Sequence, residues 1–349
     1  MGAKSVHFVD SDDVKAPPKR LSASCQEVIT ESFTTTTARV VVRSCFADID
    51  LFPIIAGHKC NKVPLCPSSL NADMALTVSL YIWMSLRVGV EPPGLNVSEM
   101  HVPKSLVAQI PQPDPGQYLE LVATAELDDA GYGTVKCDFR AIKPDGTKLY
   151  DTAHCVVRYE DKRAWTREWE RFDFMVNDQI AALHAKAVAG TAHIMQSGLA
   201  YKVFESFVTY ASKYRSMNEV VFDGLEGTAN LSFKTDASDH CGPYHFDGSC
   251  HLSGFLCNAY DLDTEESVYI SEGWNAAKYL DLALLMKPGV GGASSLRNYV
   301  RMQSVEGGVL QGEVYILREG KIVGSCEGIR FKRLPRRVIN VLLPPPKRA

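Results

Sequence analysis

The sequence lacks the features that direct a chain out of the cytosol or into a membrane. Its first 20 residues contain no apolar core segment, so we expect no secretory signal peptide there. No apolar run reaches the roughly 20 residues that a membrane-spanning helix needs. The chain has 10 cysteines, yet no two of them have Cys-x-x-Cys spacing. Reduced, buried thiols are typical of such a pattern, so we expect a cytoplasmic protein without a membrane partner.

The motifs of several enzyme and binding classes are also missing. The sequence contains no Gly-x-Ser-x-Gly elbow, and its glycine run at Gly289–Gly292 lacks the context of a nucleotide phosphate loop. The histidines and cysteines between His240 and Cys257 do not form the spaced pairs that zinc requires, so no metal is predicted. The net charge of −4 argues against a nucleic-acid partner.

What the sequence does contain is a histidine placed beside a long apolar helix, within Ile54–Leu86. The run Ile54–Ala56 predicts a short strand that delivers this histidine, His58. After a loop, a helix is predicted with Ser68 or Ser69 as its N-cap. Apolar residues recur every four positions along this helix and make it apolar on nearly all sides, which is typical of a buried helix: Leu70, Met74, Val78, Ile82 and Leu86.

A second stretch, Pro243–Ala259, repeats this arrangement with a carboxylate in place of the histidine. Asp247 lies near the start of another apolar helix, and His251 follows one turn later on the same face. A lone histidine at a strand end is usually a structural residue. The repeated arrangement favours a functional interpretation of His58 together with Asp247.

The strand pattern around the two helices predicts an α+β fold, a double hot dog of two tandem units. In each unit a long central helix is wrapped by an antiparallel sheet. Strands are predicted over 32–46, 118–127, 132–142 and 148–159 in the first half, and over 219–225, 227–235, 267–271, 296–304, 309–317 and 321–331 in the second. Helices are predicted over 166–186, 199–214 and 274–286.

The predicted domain boundaries follow from this pattern. A flexible lead-in covers 1–30, the N-terminal hot dog with the histidine 31–164, and a helical connector 165–215. The C-terminal hot dog with the aspartate covers 216–337, and a proline-rich exit linker 338–349. In such a pair of units a strand end from one half can meet a helix start from the other in a shared cleft. We therefore expect His58 to face Asp247.

A histidine next to a carboxylate can take up a proton near neutral pH, and the carboxylate can orient the ring and stabilise its charged form. We expect Asp247 to orient His58 in this way. Such a pair needs no nucleophile. The two residues therefore favour proton abstraction next to a carbonyl group over acyl-enzyme chemistry.

The residues around this pair resemble two related families. His58–Pro67 is similar to the HxxxGxxxxP motif of polyketide and fatty-acid dehydratases, and Asp247–His251 to their DxxxQ/H motif, but Lys62 stands where the glycine is expected. From about Ser32 to Pro346 the sequence more closely resembles the product template domain of fungal non-reducing polyketide synthases. Four blocks carry this resemblance: HKCNKVPLCPSSLNADMAL, FDGSCHLSGFLCNA, VYISEGW and FKRLPRRVINVLLPP.

This resemblance implies a deep pocket that accepts a linear poly-β-ketone carried on the 4'-phosphopantetheine arm of an acyl carrier protein. The implied reaction is a regioselective intramolecular aldol condensation, followed by loss of water and aromatisation. The family's catalytic histidine and aspartate match His58 and Asp247. No intrinsic cofactor is implied. The expected partners are the carrier protein, other domains of a parent synthase and a second copy of the chain in a homodimer.

Other polar residues near the predicted cleft are secondary candidates. Ser249, His251 and Asn258 are candidates for supporting the pair or a developing oxyanion. For His251 we favour packing beneath the helix with a bond to a backbone carbonyl, because glutamine often occupies this place in the dehydratase motif. Arg297 and Arg301 share a face and could bind the phosphopantetheine phosphate or the carrier, or simply form a solvated face.

Two alternatives to the interpretation as a cyclase stay open at this point. The first is a dehydratase that acts on a β-hydroxyacyl thioester and uses the same two residues. The second is a hot-dog scaffold that binds an acyl chain without catalysis.

Overall fold

The structure is a computed structural model that describes residues 19–129, 131–235, 240–259, 266–281 and 296–345. Its strands are β1 Glu27–Phe33, β2 Thr37–Cys45, β3 His58–Cys60, β4 Val63–Pro64, β5 Gly94–His101, β6 Tyr118–Leu127, β7 Gly133–Ile142, β8 Lys148–Glu160, β9 His193–Gln196, β10 Val208–Tyr210, β11 Met217–Asp223, β12 Glu226–Leu231, β13 Ser267–Tyr279, β14 Leu296–Val305, β15 Val309–Arg318 and β16 Lys321–Pro335. Its helices are α1 Phe52–Ala56, α2 Ser68–Leu86, α3 Lys162–Glu170, α4 Asp173–Val188, α5 Ser197–Phe204, α6 Gly242–Ala259 and α7 Arg336–Leu342.

Most of the strands form one antiparallel sheet in the order β1-β2-β6-β7-β8-β5-β13-β16-β15-β14-β12-β11-β9. The first six strands of this order come from the front half of the chain and wrap α2, and the other seven come from the back half and wrap α6. The two central helices also pack on each other. This is the predicted α+β arrangement of two helices, each held by half of an antiparallel sheet.

The two halves join where β5 pairs with β13. Gly273 permits this close approach, because its φ is +129° and a Cβ atom there would lie 1.8 Å from the Met100 carbonyl oxygen. Next to it the indole nitrogen of Trp274 donates to the Val97 carbonyl at 2.9 Å. The junction between the two halves therefore depends on the backbone pairing of β5 with β13 and on Gly273, which has no side chain.

Helix α2 owes its burial to its apolar spacing. Leu70, Met74, Val78 and Ile82 are fully buried, and each contributes about 1.5–3 kcal/mol by the transfer of its side chain from water. The far side is less buried than predicted, since Met84 is 59% exposed. The predicted serine caps are wrong, because Pro67 occupies the N-cap position and Ser68 is already helical.

Several local predictions differ from the structure. Ile54–Ala56 belongs to helix α1 rather than a strand, because Pro53 suits the first turn of a helix, where its missing N–H is not needed. His58 consequently opens β3 instead of ending a strand. The predicted helix over 274–286 is strand β13 as far as Tyr279, since pairing with β5 and β16 outweighs local propensity; residues 282–286 lie outside the described residues.

Other strands were not predicted at all. Part of the predicted flexible lead-in forms β1, and β5 and β9 went unpredicted. The predicted helix over 199–214 ends at Phe204 and is followed by β10. The predicted exit linker contains most of α7, which buries Ile339, and the Asn61 side chain donates to the Leu343 carbonyl at 2.7 Å. These elements matter because β10 and α7 lie beside the site.

Candidate active site

His58 is buried where the small sheet β10-β3-β4 packs on the core. In this sheet His58 pairs directly with Tyr210 of β10, and the two ring centres lie 5.4 Å apart. Nδ1 of His58 is buried and has no hydrogen-bond partner in the described part of the chain. Because His58 lines a cavity, the nitrogen left to face that cavity is Nε2.

Asp247 and His251 are one turn apart on α6 and are hydrogen-bonded, with 2.7 Å between Asp247 Oδ2 and His251 Nε2. The Tyr201 hydroxyl lies 3.1 Å from His251 Nδ1 and accepts a hydrogen bond from the Met217 amide. Its own proton is therefore free to go to Nδ1. When the phenol donates to Nδ1, Nε2 of His251 carries a proton and donates it to Asp247.

His58, Asp247 and His251 line one cavity of about 650 Å³. Its other walls are mainly apolar and include Leu65, Phe204, Phe246, Trp274, Ile329, Phe331 and Leu343. Lys104 and Lys332 line the cavity and are also exposed, so they mark its mouth. The volume falls within the range of about 300–1,000 Å³ that is typical of small-molecule sites.

The pKa values of His58 and Asp247 are both lowered, and this leaves the two groups in different charge states. Burial lowers the pKa of His58 from 6.5, although the Asp247 carboxylate partly offsets this effect. Burial raises the pKa of Asp247, but the neighbouring His251 and His58 outweigh it, so the net pKa is lowered. At neutral pH the site therefore combines an uncharged imidazole with a carboxylate.

The structure brings His58 and Asp247 to one cavity, as expected, but not into the expected contact. Among the described residues no hydrogen bond joins them, because the Asp247 carboxylate is held by His251 on its own helix. The preferred interpretation of His251 is likewise wrong. Its partners are a carboxylate and a phenol, and its ring lines the cavity instead of binding a backbone carbonyl.

The other predicted polar residues are occupied elsewhere. Ser249 is fully buried, donates to the Phe246 carbonyl and bonds the Tyr279 hydroxyl, so it is not part of the cavity wall. Asn258 lines the cavity, but its amide binds the backbone of Gly254 and Tyr269. Neither residue therefore has a polar group left for an oxyanion.

The predicted arginines do not reach the cavity either. Arg297 and Arg301 lie on β14, outside the cavity lining, and Arg297 is hydrogen-bonded to His184 of α4. The cationic groups at the mouth are instead Lys104 and Lys332, of which Lys332 lies 3.7 Å from the carboxylate of Glu272.

Sequence reasoning missed the aromatic residues around the pair, because their segment was assigned to a helix. Tyr201, Tyr210 and Tyr214 surround the His251 ring, and the Tyr210 ring centre is 4.1 Å from it. The spacing of Tyr210 and Tyr214 alone gave no sign that a strand places the first of them beside His58. Ser69, considered from the sequence only as a helix cap, also lines the cavity.

Lys62 adopts the backbone conformation that a glycine would favour. Its φ is +66°, and φ of the preceding Asn61 is +51°. This is the position at which the dehydratase motif has glycine. In this chain a lysine therefore adopts a left-handed conformation in the turn that leads from His58 to α2.

Two further properties concern the described residues only. None of their helices is both long and apolar enough to cross a membrane. They also contain no group of three or more histidine, cysteine or acidic side chains placed to hold a metal ion.

The sequence matches no family model, but it has clear curated relatives. Non-reducing polyketide synthase PKS1 of Zymoseptoria tritici is 50% identical over 340 residues, which is 96% of this chain. Non-reducing polyketide synthase Preu8 of Preussia isomera is 42% identical over 94% of the chain, and the conidial pigment polyketide synthase PfmaE of Pestalotiopsis fici is 34% identical over 95%. The chain spans about 15% of the length of each of these relatives.

Solved structures with the same fold are dehydratase domains. The domain from the CurF module of curacin polyketide synthase matches with a TM-score of 0.59 at 12% identity, over 89% of this chain and 99% of that one. The dehydratase domain of RzxB from Pseudomonas fluorescens gives 0.62 at 13% identity, over 90% and 100%. The chain is thus similar to one segment of fungal non-reducing polyketide synthases, and its fold is the double hot dog of polyketide synthase dehydratase domains.

Proposed function

We propose that this chain is the cyclase domain of a non-reducing polyketide synthase. It would catalyse regioselective intramolecular aldol condensation of a poly-β-ketone bound to an acyl carrier protein, followed by loss of water and aromatisation. The observation that carries this proposal is that His58 and Asp247 line the same largely apolar cavity. The lowered pKa of each residue favours an uncharged imidazole and a charged carboxylate there.

The first step is removal of a proton from a methylene group that lies between two carbonyls. Nε2 of His58 takes the proton, and the electron pair of the C–H bond becomes an enolate. The enolate carbon attacks a distant ketone, so one C–C bond forms and the ketone oxygen becomes an alkoxide. The proton held by His58 then neutralises this alkoxide. Loss of the resulting hydroxyl group as water, with a neighbouring proton, leads towards the aromatic ring.

Asp247 acts on His58 through its charge. The carboxylate remains ionised at neutral pH and favours the imidazolium that forms after proton abstraction. His251 holds the carboxylate at 2.7 Å, and Tyr201 in turn holds His251. Because these hydrogen bonds hold Asp247 in place without involving His58, the lone pair of His58 Nε2 stays available for the substrate proton.

The cavity supplies the choice of ring. A long polyketone can close many different rings in water, and folding it against an apolar wall brings only certain carbon pairs together. Positioning of this kind can lower a barrier by as much as about 7–11 kcal/mol in favourable cases. Leu342 and Leu343 line the cavity from the C-terminal segment, so this segment also shapes the space that the chain must fit.

The mouth of the cavity suits the carrier-bound end of the substrate. Lys104 and Lys332 are the exposed cations on its lining, and an ammonium group can bind a phosphate as a point charge. We assign the contact with the phosphopantetheine phosphate or with an acidic carrier to this pair, in place of Arg297 and Arg301. A homodimer formed within a parent synthase remains part of the proposal.

The proposal is tested by reconstitution. The condensing domains and carrier protein of a non-reducing synthase are incubated with and without this chain, and the products are separated and identified by mass spectrometry and NMR. We expect one ring pattern to dominate with the chain and a mixture of spontaneously closed products without it. An unchanged mixture would refute the cyclase function.

A dehydratase is the second candidate, because the fold neighbours are dehydratase domains. A β-hydroxyacyl pantetheine thioester offered to the same preparation separates the two candidates. The cyclase assignment predicts no enoyl product above the rate without protein, whereas the dehydratase assignment predicts its steady formation.

A further inference from the structure

Three tyrosines surround the two histidines of the site, and their hydroxyl groups are used differently. Tyr214 donates to the Ile54 carbonyl at 2.9 Å, and Tyr201 bonds His251 and Met217. The hydroxyl of Tyr210 has no hydrogen-bond partner among the described residues, although the residue is only 8% exposed and lines the cavity. The hydroxyl oxygen is also not completely enclosed by protein atoms, so it opens on the cavity.

The position of Tyr210 is set from two sides. Strand pairing places it opposite His58, so the two side chains are neighbours on one face of the small sheet. On the other side its ring packs against His251, with 4.1 Å between the ring centres and 35° between the planes. A ring held in this way can present its hydroxyl at a defined place without reorganisation.

The phenol of Tyr210 keeps its proton at neutral pH. Burial raises its pKa well above 10, and the nearby Asp247 carboxylate raises it further. Tyr210 is therefore a hydrogen-bond donor that does not compete with His58 for the substrate proton. Ser249 and Asn258, the donors suggested by the sequence, are already occupied by other partners.

We propose that Tyr210 is a further catalytic residue whose hydroxyl donates a hydrogen bond to the ketone oxygen that enolate attack turns into an alkoxide. This inference rests on the proposed cyclase function. No proton is transferred in this contact: the phenol keeps its proton, the C–C bond forms, and the alkoxide takes its proton from the His58 imidazolium. The geometry needed is a carbonyl oxygen within hydrogen-bond distance of the phenol while the attacked chain lies against His58.

The first test is the substitution Tyr210→Phe, which keeps the ring and removes only the hydroxyl. Loss of one such donor is expected to lower kcat by about 10²- to 10³-fold while KM changes less than about threefold. Tyr159→Phe is the matched control, because this buried tyrosine donates to the Ser79 carbonyl at 2.7 Å and does not line the cavity. The control should lower Tm and leave kcat unchanged.

The second test does not depend on turnover. The Kd values of a series of substituted 2-naphthols of increasing acidity are measured for the wild type and for Tyr210→Phe. Affinity should rise with acidity in the wild type, since an oxyanion accepts the phenol bond more strongly, and this slope should flatten in the variant. A purely structural role would leave the two slopes parallel.

The two tests separate this inference from the function on which it rests. A wild type that fails to direct ring closure refutes the cyclase proposal, while the naphthol series still reports on the donor. An active wild type together with a Tyr210→Phe variant of equal kcat, or with parallel slopes, overturns the role of Tyr210. A reduced kcat with a flattened slope supports it.

Discussion

The front and back halves of the molecule use the same scaffold in opposite ways. In the front half α2 serves as the apolar centre of the sheet, and the histidine comes from β3, outside the helix. In the back half α6 carries both Asp247 and His251 on its own turns. Each half therefore supplies one member of the pair, but only one of them does so from its central helix.

The contrast is clearest at the sixth position of each helix, where both halves have an aspartate. Asp73 of α2 is bonded by Ser24 and by His240, whose Nε2 lies 2.7 Å away, and it does not line the cavity. Asp247 of α6 has one partner on its own helix and faces the cavity. Carboxylates at the same helix position are thus held by two side chains away from the cavity in one half and face the cavity in the other.

The largest expected effect would come from removing the front-half contribution to the site. His58→Ala should lower kcat by about 10²- to 10⁴-fold, since it removes the imidazole that is proposed to accept the substrate proton. Cyclised product formed per carrier-bound chain is the measurement. His184→Ala is the control, because His184 bonds Arg297 outside the cavity. Native regiochemistry at an unchanged rate in His58→Ala would show that the front half contributes no essential catalytic group.

The two aspartates offer the sharpest test of the contrast between the halves. Asp247→Asn should lower kcat by about 10²- to 10³-fold through loss of the charge that stabilises the imidazolium. Asp73→Asn should leave kcat within about threefold and instead lower the free energy of unfolding by about 1–3 kcal/mol, since Ser24 and His240 lose a carboxylate acceptor. Kinetics and urea unfolding of both variants separate the roles, and equal effects on activity would remove the distinction.

The role of His251 can be tested with the same activity measurement. His251→Gln keeps a donor one turn from Asp247 and should retain activity within about tenfold, whereas His251→Leu should approach the loss seen in Asp247→Asn. Equal activity of the two variants would show that the donor to the carboxylate does not matter.

The pH dependence should report the charge state of His58. Because burial lowers the pKa of His58 below 6.5, kcat/KM should be constant at neutral pH and fall only as the pH drops through a midpoint below 6.5. The same shift has a consequence for stability. The unfolded chain binds this proton more readily than the folded one, so acid should weaken the fold in that range. A midpoint above 6.5 would contradict the assignment of a buried, neutral base.

A smaller effect is expected where the C-terminal segment rests on the front half. The Asn61 side chain donates to the Leu343 carbonyl and to the Asn340 side chain. Asn61→Ala should therefore lower the free energy of unfolding by about 0.5–1.5 kcal/mol per lost bond and loosen the wall formed by Leu342 and Leu343. A broader set of ring products is the expected readout in the reconstituted system. Unchanged products would show that this segment does not set the regiochemistry.

The smallest effect concerns the turn between His58 and α2. Lys62→Gly relieves a left-handed conformation but makes the unfolded chain more flexible, so the free energy of unfolding should rise by no more than about 1 kcal/mol. Denaturant unfolding of the variant and of the wild type measures this. A clear loss of stability would show that the lysine side chain has a structural role in this turn.

Much of the fold could be predicted where the pattern is local. The meanders over 118–159 and 296–331 follow from alternating residues and turn signals, and their strands agree with the structure to within a few residues. The two central helices follow from their apolar spacing. The predictions failed where a partner far along the chain decides the outcome, as at β13, which is held by β5 and β16, and at β10, which is held by β3.

The same division applies to the site. The residue pattern and the family resemblance pointed to His58 and Asp247 as candidates, because a titratable side chain beside a buried helix is visible in the sequence. The surroundings of these two residues arise from contacts between residues far apart in the chain. These contacts include the Tyr201 bond to His251, the Tyr210 ring beside His58 and the C-terminal segment along the cavity. Such contacts depend on distances that only the folded sheet creates, so neither local propensity nor spacing can reveal them.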